Sequence, residues 1–211
     1  MRPSPLLRPL AVLLGAGSLL LVGAASVHPV LHGSASDQLA MIGDTGHWRT
    51  IHLLLSLGTG LFIVGLGARA LSTPDSLRLE YGIVLIVLAL GELLNGVNIA
   101  FMTAAGTELA ALERQTPGST TLLYQGIHPA TLMAARLGSF LVAMAALLLA
   151  RLGSHDPAEP RWERGIALIA GVVGLAAVLL LPETNVATPI GIGIMALWGI
   201  AVAVRLLRQA S

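Results

Sequence analysis

Six long stretches of this 211-residue chain are almost free of charge, and no other feature restricts its fold as much. They cover about 9–30, 48–70, 79–105, 129–151, 165–181 and 189–207. Each is close to the ~20 residues that an α-helix needs to cross a ~30 Å hydrocarbon layer, the fifth being the shortest. The runs are continuously apolar rather than alternating, which excludes a transmembrane barrel. The sequence therefore predicts an all-α, polytopic membrane protein: one domain over 1–211, a bundle of six transmembrane helices in a lipid bilayer.

Composition agrees where it matters. Only 11% of the residues are charged, against roughly 25% in a soluble domain, which is too few to cover a soluble surface. The basic residues are all arginine, scattered between apolar spans, so no continuous groove for nucleic acid is expected. There is no cysteine. That removes disulfides, thiolate zinc sites, iron–sulfur clusters and covalent haem attachment. Any metal would have to use histidine, carboxylate, methionine or backbone oxygen.

Arginine placement sets the expected orientation. With a cytoplasmic N-terminus, Arg2, Arg8, Arg69, Arg78, Arg151, Arg161, Arg164, Arg205 and Arg208 all fall inside. Arg49 and Arg114 fall outside, and Arg136 lies within a span. This positive-inside bias predicts a multi-pass protein of the cell membrane with both termini cytoplasmic. Trp48 and Trp162 then mark opposite interfaces as belt residues. The first run has some features of a signal peptide, with Arg2 and Arg8 before it and small residues after it. It is longer than the usual signal core, so a retained span is the preferred reading.

Local signals refine the ends of the spans. Thr73-Pro74 reads as a cap followed by proline at the first helical position, and Thr188-Pro189 repeats the pattern. His128 precedes Pro129 as a cap-like residue, and the fifth run stops at Pro182. Thr107-Glu108 opens a short amphipathic helix that Pro117-Gly118 ends. The loop Gly153–Arg161 reads as a plain polar linker. Small residues at Ala167/Gly171, Ala170/Gly174 and Gly191/Gly193 suit close helix packing.

Two constellations carry the functional expectations. The first is histidine. His28, His32, His47 and His52 fall between or beside the first two spans, and His128 comes to the same outer face. Neutral imidazole is the commonest metal ligand, so the group is a candidate site for a metal ion or a b-type haem. Haem needs two axial ligands from facing helices, for which His52 and His128 are the best pair. Zinc or copper needs three or four ligands, such as His28, His32, His47 and Asp44. Asp37 or Asp44 would serve as outer partners. The plainer reading is of interfacial histidines with a polar tip in water, and pH sensing is a third. No metalloenzyme signature such as HExxH is present.

The second constellation lies inside the membrane. Glu92, Asn95 and Asn98 sit on the third span, with Glu92 about mid-membrane, and Arg136 on the fourth. Ionisable groups at that depth cost about 2.5–3.5 kcal/mol on insertion scales and usually face the bundle interior. Glu92 and Arg136 are therefore expected to partner each other in a polar cavity open to the outer face. The alternative is a structural ion pair, with the asparagines joining helices.

The layout of six short-looped spans, with the W-x-x-x-H of Trp48-Arg-Thr-Ile-His52, resembles small uncharacterised bacterial integral membrane proteins. That resemblance implies the fold and supplies no activity. The sequence reading is of a membrane protein with an outward-facing polar cavity, binding a metal, haem or small ligand. The rivals are a metal-dependent membrane enzyme and a structural or accessory subunit, as a homo-oligomer or with a membrane-complex partner.

Overall fold

The computed structural model describes residues 4–181 and 184–209, with 184–188 by backbone alone. The helices are α1 (Leu7–Ser26), α2 (Ala35–Asp44), α3 (Trp48–Ser72), α4 (Arg78–Phe101), α5 (Thr107–Gln115), α6 (Thr121–Gly153), α7 (Arg161–Leu180) and α8 (Thr184–Gln209). Six helical segments, all but α2 and the short α5, are long and apolar enough to cross a membrane. The reason is backbone chemistry: a hydrocarbon layer offers no partner for N–H or C=O, so each crossing segment bonds to itself.

α1 packs most extensively on α3, and α4 on α6. The ring continues α6–α7–α8 and closes through α8 on α1, with α8 also touching α6. Its core includes Leu14, Phe62, Leu88, Leu149, Met195 and Trp198. Glycine sets the closest approaches. A Cβ on Gly65 would lie 2.3 Å from the Leu14 nitrogen, and one on Gly138 would lie 2.5 Å from the Gly91 carbonyl oxygen. A Cβ on Gly171 would lie 2.6 Å from Leu147 and one on Gly174 3.2 Å from Ala143, the close packing expected of that small-residue row. Nothing lies within 4 Å of a Cβ on Gly193.

One end of the bundle carries a cap. α2, α5 and the first turns of α6 enclose Leu39, Ile42, Trp48, Met102, Leu109 and Tyr124. α2 was not expected from the sequence, although its capping box is legible there. The Ser34 hydroxyl accepts from the Asp37 amide while Asp37 accepts from the Ser34 amide at 2.8 Å. α5 is the expected amphipathic helix, and it leaves α4 through a π-helical turn at Met102–Gly106. Its loop is held by Glu113, which accepts from the Gly118 and Thr120 amides at 2.5 and 2.9 Å. Gly118 supplies the positive φ of +84°.

Several expected boundaries are corrected. α1 ends at Ser26, not near Val30, so His28 and His32 share no helical face. α6 starts at Thr121 and runs through Pro129, so His128 is an interior residue rather than a cap. At 1.5 Å per residue α6 spans about 50 Å, which carries its first turns beyond a ~30 Å layer into the cap. α7 starts at Arg161 rather than Gly165 and ends at Leu180; a stop at Pro182 falls outside the described residues. α8 starts at Thr184 and contains Pro189, so Thr188 is not its cap. A 3-10 turn at Asp75–Leu77 separates Pro74 from α4. Trp48 is no belt residue: it is 2% exposed inside the cap. Trp162, 50% exposed, remains at the surface.

Candidate functional site

Pro29 directs the cap end. The residue before a proline is disfavoured in helical conformation, so the chain leaves α1 ahead of His28 and turns back over α3. The His28 ring lies 5.3 Å from Trp48 and 4.9 Å from His52, centroid to centroid. Trp48 is held in turn by its indole N–H, which donates to the Met102 carbonyl at 3.3 Å. The π-helical turn makes that carbonyl available, and Thr107 donates to it as well.

Hydrogen-bond roles then follow one after another. A carbonyl can only accept, so His52 Nδ1, 2.9 Å from the Trp48 oxygen, carries a proton. In a neutral ring that leaves His52 Nε2 as an acceptor. His28 Nε2, 3.1 Å away, must therefore be the donor. His28 Nδ1 is then unprotonated and buried, with no protein group in hydrogen-bond geometry, although the Pro29 carbonyl bears on the ring. Burial holds the His28 imidazole below its usual range, against a smaller opposing pull from the Pro29 carbonyl.

Of the five histidines expected at the outer face, only this pair is in ring-to-ring contact. His32 and His47 are exposed. His128 packs instead on Tyr124 at 4.5 Å and Phe101 at 6.0 Å. Asp37 is bonded to Ser34, and Asp44 to Arg114 at 2.6 Å; Asp37 feels the charge of His32, but neither carboxylate is hydrogen-bonded to an imidazole. Among the described residues no three histidines or carboxylates are placed to hold a metal ion. Both nitrogens of His52 are engaged, which leaves neither for a haem iron opposite His128.

The interior constellation is placed by register. Trp48 meets Met102 at one end of the α3–α4 pair, and Arg69 covers the Tyr81 ring at the other. Both pairs of numbers share one sum, so the antiparallel register sets His52 level with Asn98, and Thr59 level with Glu92. Gly17 packs on Gly58 and Phe62, which brings Ser18 to the Thr59 level, and Gly199 packs on Ser18. At this middle level Ser18, Thr59, Glu92, Asn95 and Trp198 each bury a side-chain polar atom without a protein partner. Glu92 is 1% exposed. Asn95 accepts from Ser139 at 3.2 Å and Asn98 from Thr131 at 2.9 Å, so the asparagines do join α4 to α6.

Arg136 does not form the expected pair with Glu92. Its guanidinium donates to the carbonyls of Val178 at 2.5 Å and Leu181 at 2.9 Å, at the C-terminal end of α7. Those carbonyls have no acceptor duty left inside the helix and carry the negative end of its dipole, which is why a cation settles there.

The opposite end holds a cluster that the sequence reading missed. Arg69, 1% exposed, donates to Glu159 at 2.5 Å and Asp156 at 3.4 Å. Tyr81 donates to Glu159 at 2.7 Å, and Arg205 grips Glu163 with two bonds of 2.6 and 3.1 Å. The Gly153–Arg161 loop is therefore no plain linker: two of its carboxylates are buried partners of α3. The available signal was the DPAEPRWE stretch, whose three carboxylates fall within one span-end of Arg69.

The chain matches no protein family, no curated protein and no solved structure. Its function is therefore argued from its own geometry.

Proposed function

We propose that this is a multi-pass protein of the cell membrane that admits protons from its outer, capped face into a polar interior. His28–His52 is the outer station and Glu92 the inner one. The observation that carries the reading is that Glu92 and Asn95 bury polar atoms without a protein partner at a level where Ser18, Thr59 and Trp198 do the same. Buried polar groups are nearly always bonded, and a cluster of exceptions calls for a role. An intramembrane carboxyl facing the interior without a cation suits a group that takes up and releases a proton.

The histidine pair supplies the entry. One proton lies between the two Nε2 atoms. A second proton, arriving at His28 Nδ1, lets the shared proton pass to His52 Nε2, which leaves His28 neutral with its proton on Nδ1 and His52 charged. The charged His52 ring can then turn its Nε2 proton from His28 toward Asn98 at the same level, and release it onward to Glu92, returning to the neutral form. Arginine bias supports a cytoplasmic position for both termini, with the ion-pair end inward.

Purified protein in liposomes that enclose a pH-sensitive dye tests this. Under an imposed membrane potential, wild type should move protons faster than empty liposomes. Glu92→Gln should return the rate to the empty-liposome value. Equal rates for wild type and empty liposomes would refute the proposal.

A further inference from the structure

The ion-pair end has a second property that the proton reading does not use. The carboxylates of its loop and of the first turn of α7, Asp156, Glu159 and Glu163, all turn inward to Arg69 and Arg205. Three neighbouring arginines are left outside this arrangement. Among the described residues no ion pair joins Arg151, Arg161 or Arg164 to a carboxylate. Arg151 has only a 3.4 Å contact with the Ser154 hydroxyl. The Arg164 Nε is buried without a partner.

These arginines rim one groove. It lies between α6 and α7, with a volume of about 470 Å³. On α7 the lining residues Arg161, Arg164 and Leu168 fall on one helical face, as Leu147, Ala150 and Arg151 do on α6. The charges are at the helix ends, and the apolar floor of Leu147, Ala150 and Leu168 lies deeper along the span. Trp162, half exposed one residue from Arg161, sits where aromatic residues anchor at a membrane interface.

We infer that this groove is a binding site for an anionic phospholipid. Its phosphate would sit among the three guanidiniums, with one acyl chain on the Leu147–Leu168 floor. Guanidinium is the side chain best matched to phosphate oxygens. A basic pocket between transmembrane helices at the cytoplasmic interface suits such a headgroup. Three cations around one apolar slot complement a ligand whose charge and hydrocarbon are joined, which a free anion is not.

The test is thermal unfolding of the purified chain in neutral detergent with added phosphatidylglycerol, phosphatidylcholine or inorganic phosphate. Phosphatidylglycerol at saturating levels should raise the midpoint by roughly 5 °C or more. Phosphatidylcholine and phosphate should leave it near its starting value. The triple variant Arg151→Gln/Arg161→Gln/Arg164→Gln should fold, because none of the three takes part in the ion-pair cluster, and should lose the shift. Native mass spectra of the two proteins should show phosphatidylglycerol adducts on wild type and their loss in the variant. An equal shift with phosphatidylcholine, a full shift with phosphate alone, or an undiminished shift in the triple variant would overturn the inference.

Discussion

Arg69 and Glu92 are buried equally deeply and sit among opposite surroundings. Arg69 faces three carboxylates, a tyrosine ring at 4.1 Å and the Thr73 hydroxyl at 3.0 Å. Glu92 has no ion pair among the described residues. Removing one member of a buried charge group leaves the others uncompensated, at about 3–5 kcal/mol. Arg69→Met is thus expected to lower the unfolding midpoint in detergent by about 10 °C; a midpoint within a degree or two of wild type would contradict the cluster's role. His28 gives a pH dependence. Its folded value lies below the ordinary 6.5, so the unfolded chain binds the extra proton more readily. Its contribution is intact above the unfolded value of 6.5 and is lost as pH falls from there through the lower folded value. Acidification should charge His28 beside Trp48 and quench the indole. The emission difference between wild type and Trp48→Phe should fall as pH drops below the ordinary histidine range, and His28→Asn should remove most of that dependence.

At the scale of the helices, close packing rests on few positions. Gly91→Leu would drive a side chain into the Gly138 carbonyl and Val142. Overpacking of this kind costs about 1–3 kcal/mol. Gly96→Leu, with nothing within 4 Å of its Cβ, should leave the unfolding midpoint unchanged or slightly raised. Equal effects for the two would argue against the α4–α6 contact. The spans themselves were legible because about twenty uncharged residues admit one solution in lipid. Their ends were not, because Pro129 and Pro189 read as starts. In the fold each sits inside a helix whose earlier turns lie beyond it. The partners of Glu92 and Arg136 were illegible for another reason. Sequence gave their depth, but which neighbour each helix turns them toward depends on packing. Arg136 found the end of α7, a helix more than forty residues away in the chain.

Across the whole molecule the two ends differ in kind. One is closed by buried ion pairs between α3, α7, α8 and the α6–α7 loop. The other is closed by short helices tied by an indole bond, a pair of imidazoles, the Tyr124–Gln38 bond and an exposed Arg114–Asp44 ion pair. Between them lies the level at which Ser18, Thr59, Glu92, Asn95 and Trp198 bury polar atoms without a protein partner. Exposed ties are weaker than buried ones, so the capped end is the one expected to open. The central claim is that the Glu92 carboxyl exchanges protons with water reached through that end. Infrared difference spectroscopy of the protein in a lipid film, across a pH step, measures this directly. The account predicts a protonated-carboxyl band in wild type, shifted in Glu92→Asp and absent in Glu92→Gln. A wild-type spectrum with no such band, or a band unchanged in Glu92→Gln, would contradict it.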